Sequence, residues 1–492
     1  MHLPHLFSGM SLLFSSSPVI SSIMWKLFTV VSLFGLLVSS CEGAVNTTGL
    51  KLLLSPGATI SNNGSSAPRW SDFDAPTPGA VVTVATEQDV LRTVQYCIAL
   101  NIPFFAQNGG HGWSTTINLK QNGITINLAG IKAMSIDSAK SAVTFQGGAL
   151  ISDVVNFAYN NSVLVPTGTC NCVGTLGAIL GGGFGNLMGQ YGFGVDNLVS
   201  LNVVTPLGTA ITVSPTSYPD LWYAMRGAGA NFGIVTSAVI KSYPTNAAGL
   251  TAWHGPLIFL GTSLEALIGA MGNLTMQPKM AMELFFLLEG GQPIILLNLF
   301  YYGTEADGRA AFASILAVGP IADETAILTY DQWNAGGDGF CTKGERKPSF
   351  GAGLAKLDPT TWRAVWNKWL AFASLPGAET SAVILDVYSL VKPRTFADSS
   401  SAYPFRHTVN YNAIATGWYP DSTLDAQAEA FGFAARDLWR STSGLPVNST
   451  YINNGFGDEA LSVVYGQSLS QLQTIKKHYD PLYRFNQWFP IK

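Results

Sequence analysis

The chain has 492 residues, with 26 Lys and Arg against 30 Asp and Glu and a formal net charge of −4. Only 11% of residues are charged, against about 25% in an average soluble protein, while 47% are hydrophobic and Trp, Tyr and Phe number 12, 17 and 27. This excludes a disordered chain, which would be highly charged and poor in aromatics, and a nucleic-acid binder, which would carry a basic run to neutralise phosphates. A large globular protein with room for two or three domains remains.

Lys26 precedes a predominantly apolar run, Leu27–Val38, followed by the small residues Ser39, Ser40 and Gly43. That is the layout of a secretory signal, so residues 1–43 are assigned as a signal region with translation starting at Met24. The run is short for a bilayer span, so no permanent membrane anchor is expected. Five N-x-S/T sequons, at Asn46, Asn63, Asn160, Asn273 and Asn448, fit a secreted glycoprotein. Glycans there would supply surface polarity that the side chains lack. Of the five cysteines, Cys41 leaves with the signal. Cys170 and Cys172 have no second Cys/His pair at zinc spacing, so no metal site is expected. A core thiol or a disulfide is the plain reading of such a pair.

Val81–Val84 reads as a buried strand, Thr86 as a helix N-cap, and Val90, Leu91, Val94, Ile98 and Leu100 as the apolar face of the helix that follows. Ile102–Gln107 is a second strand closing a β-α-β unit, and Gly109-Gly110-His111-Gly112 follows it directly. Strands are predicted at Ile124–Leu128, Ser141–Ala149 and in LNVVTP and TAITVS, with a helix at Ser152–Tyr159. After Pro244 the texture changes. Met282–Gly303 reads as two apolar strands joined at Glu289–Gln292, because Glu283, Glu289 and paired glycines do not suit a transmembrane helix. Helices follow at 305–317, 360–375 and 425–439, with strands in AVILDVYSL and VNYNAIATGWY and a last helix at Ser468–Lys477. This second part is an α+β domain on an antiparallel sheet.

Two constellations carry chemistry. A strand emptying into Gly109, Gly110 and Gly112 lets backbone N–H groups approach a pyrophosphate without an intervening Cβ. The pattern is not the G-x-G-x-x-G of a dinucleotide fold, and His111 within it could be a metal ligand, a base or a covalent attachment point. Gly168–Asn197 is dense in glycine yet studded with Leu176, Ile179, Leu180, Phe184 and Leu187. A flexible linker would be polar, so this stretch suits backbone laid against a flat ligand.

Four segments, Arg69–Val90, Ala106–Thr115, Gly168–Gly185 and Asp220–Pro244, resemble the berberine bridge enzyme-like oxidases of the vanillyl-alcohol oxidase flavoprotein superfamily, in their fungal secreted form. Tyr451–Asn454, Tyr465-Gly466 and Lys476–Pro481 agree with that resemblance. It implies an α+β fold: a PCMH-type, two-subdomain FAD-binding domain over 65–245, and a substrate domain over 246–450 whose large antiparallel sheet is covered by helices. The segment 451–492 then returns to the FAD domain. His111 matches the histidine bonded to the 8α-methyl of FAD, and Cys170 the cysteine bonded to flavin C6 in bicovalent members. Cys172 falls where another small residue is usual and is structural or free. Gly109, Gly110 and Gly112 would line the pyrophosphate; Gly174, Gly177, Gly182 and Gly185 would border the isoalloxazine and diphosphate. Gly229–Val235, with Ile234 and Val235, would cover the adenine side. Val173 matches a position where a small branched residue leaves space for O2. Two departures stand out: Ala178 replaces the usual His of V-G-x-G-G-H, and Asn454 replaces the second Tyr of Y-x-N-Y.

The resemblance implies an FAD-linked oxidase that delivers a hydride to flavin N5 and reduces O2 to H2O2, with a side-chain base for the hydroxyl proton. Asp386, an acid in an apolar strand, is the first candidate base, with a strand-edge Asp paired to an Arg as the structural alternative. Tyr451 is the second catalytic candidate. Glu283 ranks below them, and His407 is assigned a structural role. Trp113 and Tyr411 are assigned to the substrate pocket. An aromatic, charge-poor pocket favours a hydrophobic natural-product alcohol or activated C–H. A carbohydrate oxidase on the same scaffold, and a flavin-bearing cyclase or binding protein without redox turnover, are the alternatives. The protein is expected to be a monomer.

Overall fold

A computed structural model describes residues 45–492. The predicted signal region, with Met24 and Cys41, lies outside the described residues. The helix Glu87–Ala99 starts on a capping box: Thr86 Oγ1 accepts from the Asp89 N–H and the Asp89 carboxylate accepts from the Thr86 N–H. It buries Val90, Thr93, Val94 and Cys97 on one face. The two strands it joins, Ala80–Thr83 and Phe104–Gln107, are not neighbours. The later strand Ile124–Asn127 lies between them and pairs with both in parallel. Buried on both faces over Ile124–Ile126, that strand suits the central place. Thr59–Ser61, which precedes the expected domain start at residue 65, adds the fourth strand of this sheet.

A second, five-stranded sheet runs Met134–Ile136, Ala142–Gln146, Ile234–Lys241, Leu198–Val204, Ala210–Val213 in spatial order. The helix Pro219–Ala228 that precedes its Ile234–Lys241 strand breaks at Arg226 and Gly227.

The largest sheet has eight strands, and its central order is Thr251–Leu260, Gln292–Tyr301, Met280–Glu289, Ala382–Tyr388, Tyr411–Thr416, Ser349–Leu354. The hairpin Met280–Tyr301 turns on Gly290 and Gly291, both at positive φ (55° and 78°), as a two-residue turn of that hand requires. Helices Leu264–Asn273, Pro359–Ala373 and Asp425–Thr442 contribute to the core on one face, with Leu284, Phe286, Val383 and Leu385 packed among Trp362, Trp366, Trp369 and Trp439. Alternation along each strand sends the intervening residues to the other face. There the register aligns Asn298, Glu283, Asp386 and Asn412 side by side across four adjacent strands. The next rung outward is Leu296, Phe285, Ile384 and Ile414.

Three long-range ties complete the frame. Arg406 forks onto Asp196 with two bonds of 2.7 Å. Lys476 Nζ donates to the Asn231 and Phe485 carbonyls and to Asp480, each at 2.7 Å, fastening the C-terminal helix Leu469–Tyr479 to the Gly229–Asn231 turn. Cys172 and Cys341 form a disulfide. Among the described residues no helix is long and apolar enough to cross a membrane.

Candidate active site

The carboxyl end of the Phe104–Gln107 strand, the Gly-rich stretch after Thr167, the Gly227–Ala230 turn and the C-terminal segment enclose a cavity of 380 Å³. A crevice beyond the carboxyl ends of parallel strands is where ligands bind in open α/β sheets. Gly109, Gly110, His111, Gly112, Trp113, Cys170, Val173, Gly174, Gly177, Asp386 and Tyr451 all line it.

The glycines divide by what a side chain would meet. A Cβ on Gly109 would come within 2.6 Å of the Cys172 carbonyl, so this turn packs backbone on backbone. Gly110 sits at φ 71°, in the left-handed region. A Cβ on Gly177 would meet nothing within 4 Å, because that glycine opens onto the cavity. Gly182 and Gly185 do not line it. A Cβ on Gly182, at φ 154°, would come within 3.0 Å of the Tyr451 ring, and one on Gly185 would sit 1.9 Å from the Thr167 carbonyl oxygen. Ile234 and Val235 are also outside the lining: their strand is internal, and both are core residues. Gly227, Ala228, Gly229 and Ala230 take that side of the cavity instead.

His111 stacks on Trp70 with ring centroids 4.7 Å apart, and its Nε2 is buried with no hydrogen-bond partner. Burial first, then the charges of Lys347, Lys343 and Arg69, push the imidazole pKa down to about 3, against a small upward pull from the Phe340 carbonyl. The ring is therefore neutral at physiological pH, the form that acts as a nucleophile. A His111 ring nitrogen and Cys170 Sγ lie within 4.8 Å of each other. Cys172, equally close, is held in its disulfide, while Cys170 is free. Burial raises the Cys170 thiol to about 11, with Glu283 and Asp338 adding to the rise.

The Tyr451 ring lines the cavity, but its hydroxyl accepts from the Gly183 N–H (3.2 Å) and from Asn453 Nδ2 (2.8 Å) and donates to the Ala178 carbonyl (3.3 Å). That hydroxyl ties down the Gly-rich loop, and burial raises it further above the phenol range. Asn453 Nδ2 also reaches the Ala178 carbonyl at 3.0 Å, so two side chains anchor the site where the family histidine is replaced.

Asp386 faces the cavity from an internal strand, not an edge, and among the described residues no arginine pairs with it. Among the described residues nothing donates a hydrogen bond to its carboxyl. Glu283, its cross-strand neighbour, accepts from Tyr388 Oη at 2.5 Å and Thr169 Oγ1 at 2.8 Å. Burial first, then the Glu283 charge, raise Asp386 well above the usual carboxylate range. Tyr388 was absent from the sequence candidates, although alternation puts it on the face of Asp386, two residues earlier.

Tyr411 is not in the cavity. It packs against the helix-covered core, because Asn412, one residue on, is the partner of Asp386. His407 is also elsewhere, with Nε2 3.1 Å from the Phe396 carbonyl at the surface. Trp113 lines the cavity with its Nε1 buried and unpartnered. Trp488, Asn108 and Arg69 are lining residues the sequence did not single out. Asn108 Oδ1, like His111 Nε2, is a buried polar atom with no partner among the described residues. A glycine-walled cleft with orphaned polar atoms, a neutral imidazole and a thiol fits a flavin dinucleotide.

Residues 78–214 match the FAD binding domain family. The chain is 33% identical to the FAD-linked oxidoreductase OXR1 of Pyricularia oryzae, over 86% of each chain. The BBE-like 1 protein of Physcomitrella patens superposes with a TM-score of 0.77 at 20% identity, covering 90% of this chain and 99% of that one. A xylooligosaccharide oxidase from Myceliophthora thermophila superposes with a TM-score of 0.74 at 23% identity, covering 90% and 98%. The chain therefore belongs to the FAD-linked oxidoreductases, with the fold of the berberine bridge enzyme-like proteins.

Proposed function

We propose that the protein is a secreted oxidase with bicovalently held FAD, which oxidises an alcohol or activated C–H of a hydrophobic natural product and passes the electrons to O2, forming H2O2. The observation that carries this reading is the unpartnered Asp386 carboxyl on a cavity whose lining also includes Trp113, Leu180 and Phe184. That arrangement offers a base to one hydroxyl and apolar surface to the rest of the substrate. His111 and Cys170 are the proposed tethers, and the five sequon asparagines, all exposed, are proposed to carry glycans.

FAD, held by His111, Cys170 and the cavity-lining glycines, would supply a two-electron acceptor for the substrate hydride. The chain supplies the rest. Asp386 takes the hydroxyl proton as the carbon–hydrogen bond breaks, so the substrate loses one proton and one hydride and becomes a carbonyl. Trp113 walls the pocket, and Val173 leaves room beside the ring system. Tyr451 and Asn453 hold the Gly-rich loop in place.

A carbohydrate-oxidase reading rests on Trp113, a ring on which a sugar could stack. H2O2 release should be measured across allylic and benzylic alcohols and xylo-oligosaccharides. Turnover of the alcohols is expected, and exclusive turnover of sugars would overturn the substrate class. Acid-precipitated protein should stay yellow, and His111→Ala with Cys170→Ala together should release the flavin.

A further inference from the structure

The polar rung across the large sheet holds two carboxyls in unequal surroundings. Glu283 and Asp386 are direct cross-strand partners on one face of adjacent antiparallel strands, where side chains stand about 5 Å apart. Glu283 is well held: Tyr388 and Thr169 both donate to its Oε1. Asp386 receives no hydrogen bond among the described residues and opens on the cavity. Among the described residues no lysine, arginine or histidine hydrogen-bonds either group. The titratable side chains near Asp386 are Glu283 on the neighbouring strand, Tyr388 on its own strand and Tyr451 across the cavity. Cys170 is close enough to Glu283 to feel its charge. Asn412, the partner on the other neighbouring strand, is uncharged.

Two carboxyls so placed cannot both ionise cheaply. Glu283 already accepts from two hydroxyls, while Asp386 accepts from none among the described residues. The first proton bound therefore resides on Asp386, and the reactive form is the one that has lost it.

We infer that Glu283 is the positioning residue for Asp386: with Tyr388 the two carboxyls form one proton-sharing unit, in which Glu283 retains the negative charge and thereby makes Asp386 the stronger base. The inference rests on the alcohol-oxidase reading above. In the step it serves, the substrate hydroxyl proton moves to the Asp386 carboxylate while the carbon-bound hydride leaves to FAD. The proton then returns to solvent, so the pair is regenerated without a further reactant. Burial also strengthens the base, but a Glu beside it adds a lever that substitution can remove.

The test uses the holoenzyme and two readouts. Glu283→Gln keeps an oxygen acceptor for Tyr388 and Thr169 and removes the charge. Its acid limb of kcat against pH is expected to move to lower pH by on the order of one to two units, and Glu283→Asp should restore the wild-type position. Infrared titration of the substrate-free holoenzyme should show a protonated carboxyl band that Asp386→Asn abolishes and Glu283→Gln shifts to lower pH. An acid limb and a band that both stay in place in Glu283→Gln would overturn the inference. A band that shifts in a protein that oxidises no alcohol would instead leave the pair standing and overturn the alcohol-oxidase reading. Retained flavin absorbance shows that each variant is folded.

Discussion

The sulfur of Cys170 lies 3.6 Å from that of Cys172, whose own bond runs to Cys341. The proposed flavin tether therefore stands beside a disulfide whose two cysteines are 169 positions apart in the sequence. Cys341→Ser should cost about 2–5 kcal/mol in urea unfolding, because so long a loop is released in the unfolded chain. It also frees Cys172 beside Cys170. In oxidised glutathione the two thiols should then pair, with the glutathione disulfide reduced in exchange. Peptide mapping should find a Cys170–Cys172 link and a flavin attached through His111 alone. A flavin still joined to Cys170 in that variant would show that tethering outruns the pairing.

Two glycines of the same stretch should behave in opposite ways. Gly177→Ala adds a methyl group where nothing lies within 4 Å, on the short helix Thr175–Ile179, where Ala is favoured over Gly by about 1 kcal/mol. The polypeptide should fold normally, yet the flavin-to-protein absorbance ratio should fall, since the methyl enters the cofactor cleft. Gly185→Ala drives a Cβ onto the Thr167 carbonyl and should destabilise the fold by about 1–3 kcal/mol, whether or not flavin is present.

Those glycines also mark how far the sequence could be read. His111, Cys170 and the lining glycines near them could be found because strand, turn and motif are contiguous. Composition alone could not separate Gly177, which opens on the cleft, from Gly182 and Gly185, which let backbone pack on rings and carbonyls. Asp386 was visible as an acid in an apolar strand, but its partner was not. The Glu283–Asp386 rung depends on which distant strands pair and in what register. Tyr411 failed for the same reason, since a one-residue change of parity exchanges cavity for core. The Ile124–Asn127 strand, inserted within the β-α-β unit, was legible as a strand but not in its place. Ile234 and Val235 carried a family motif whose strand turned out to be internal.

Arg406 and Asp196 are 0% and 1% exposed and bonded bidentately. Asp196→Asn leaves the guanidinium buried without its counter-charge, at a cost of about 3–5 kcal/mol. Glu305→Gln, which breaks the solvent-exposed i,i+4 pair with Arg309, should change stability by less than about 0.5 kcal/mol. Urea midpoints of the two variants, measured in one buffer, give the comparison. Equal shifts would mean that the buried pair contributes no more than a surface one.

Asp386 gives a stability prediction that needs no substrate. Its folded-state pKa is raised by burial and by Glu283, whereas in the unfolded chain it ionises in the ordinary carboxylate range. Below that range both states are protonated and the residue has no effect. As pH rises above it, the unfolded chain releases the proton first while the folded protein retains it. The unfolded state is thereby favoured and stability falls. Asp386→Asn should therefore match wild type in strongly acidic buffer and become progressively more stable than wild type towards neutral pH, while turnover is lost. Urea unfolding at several pH values provides the measurement. A stability difference that does not vary with pH would mean that the carboxyl titrates normally in the fold, and the base would then have to be sought elsewhere in the cavity. Gain of stability with loss of turnover is the mark of a group held in an unfavourable state for its chemistry.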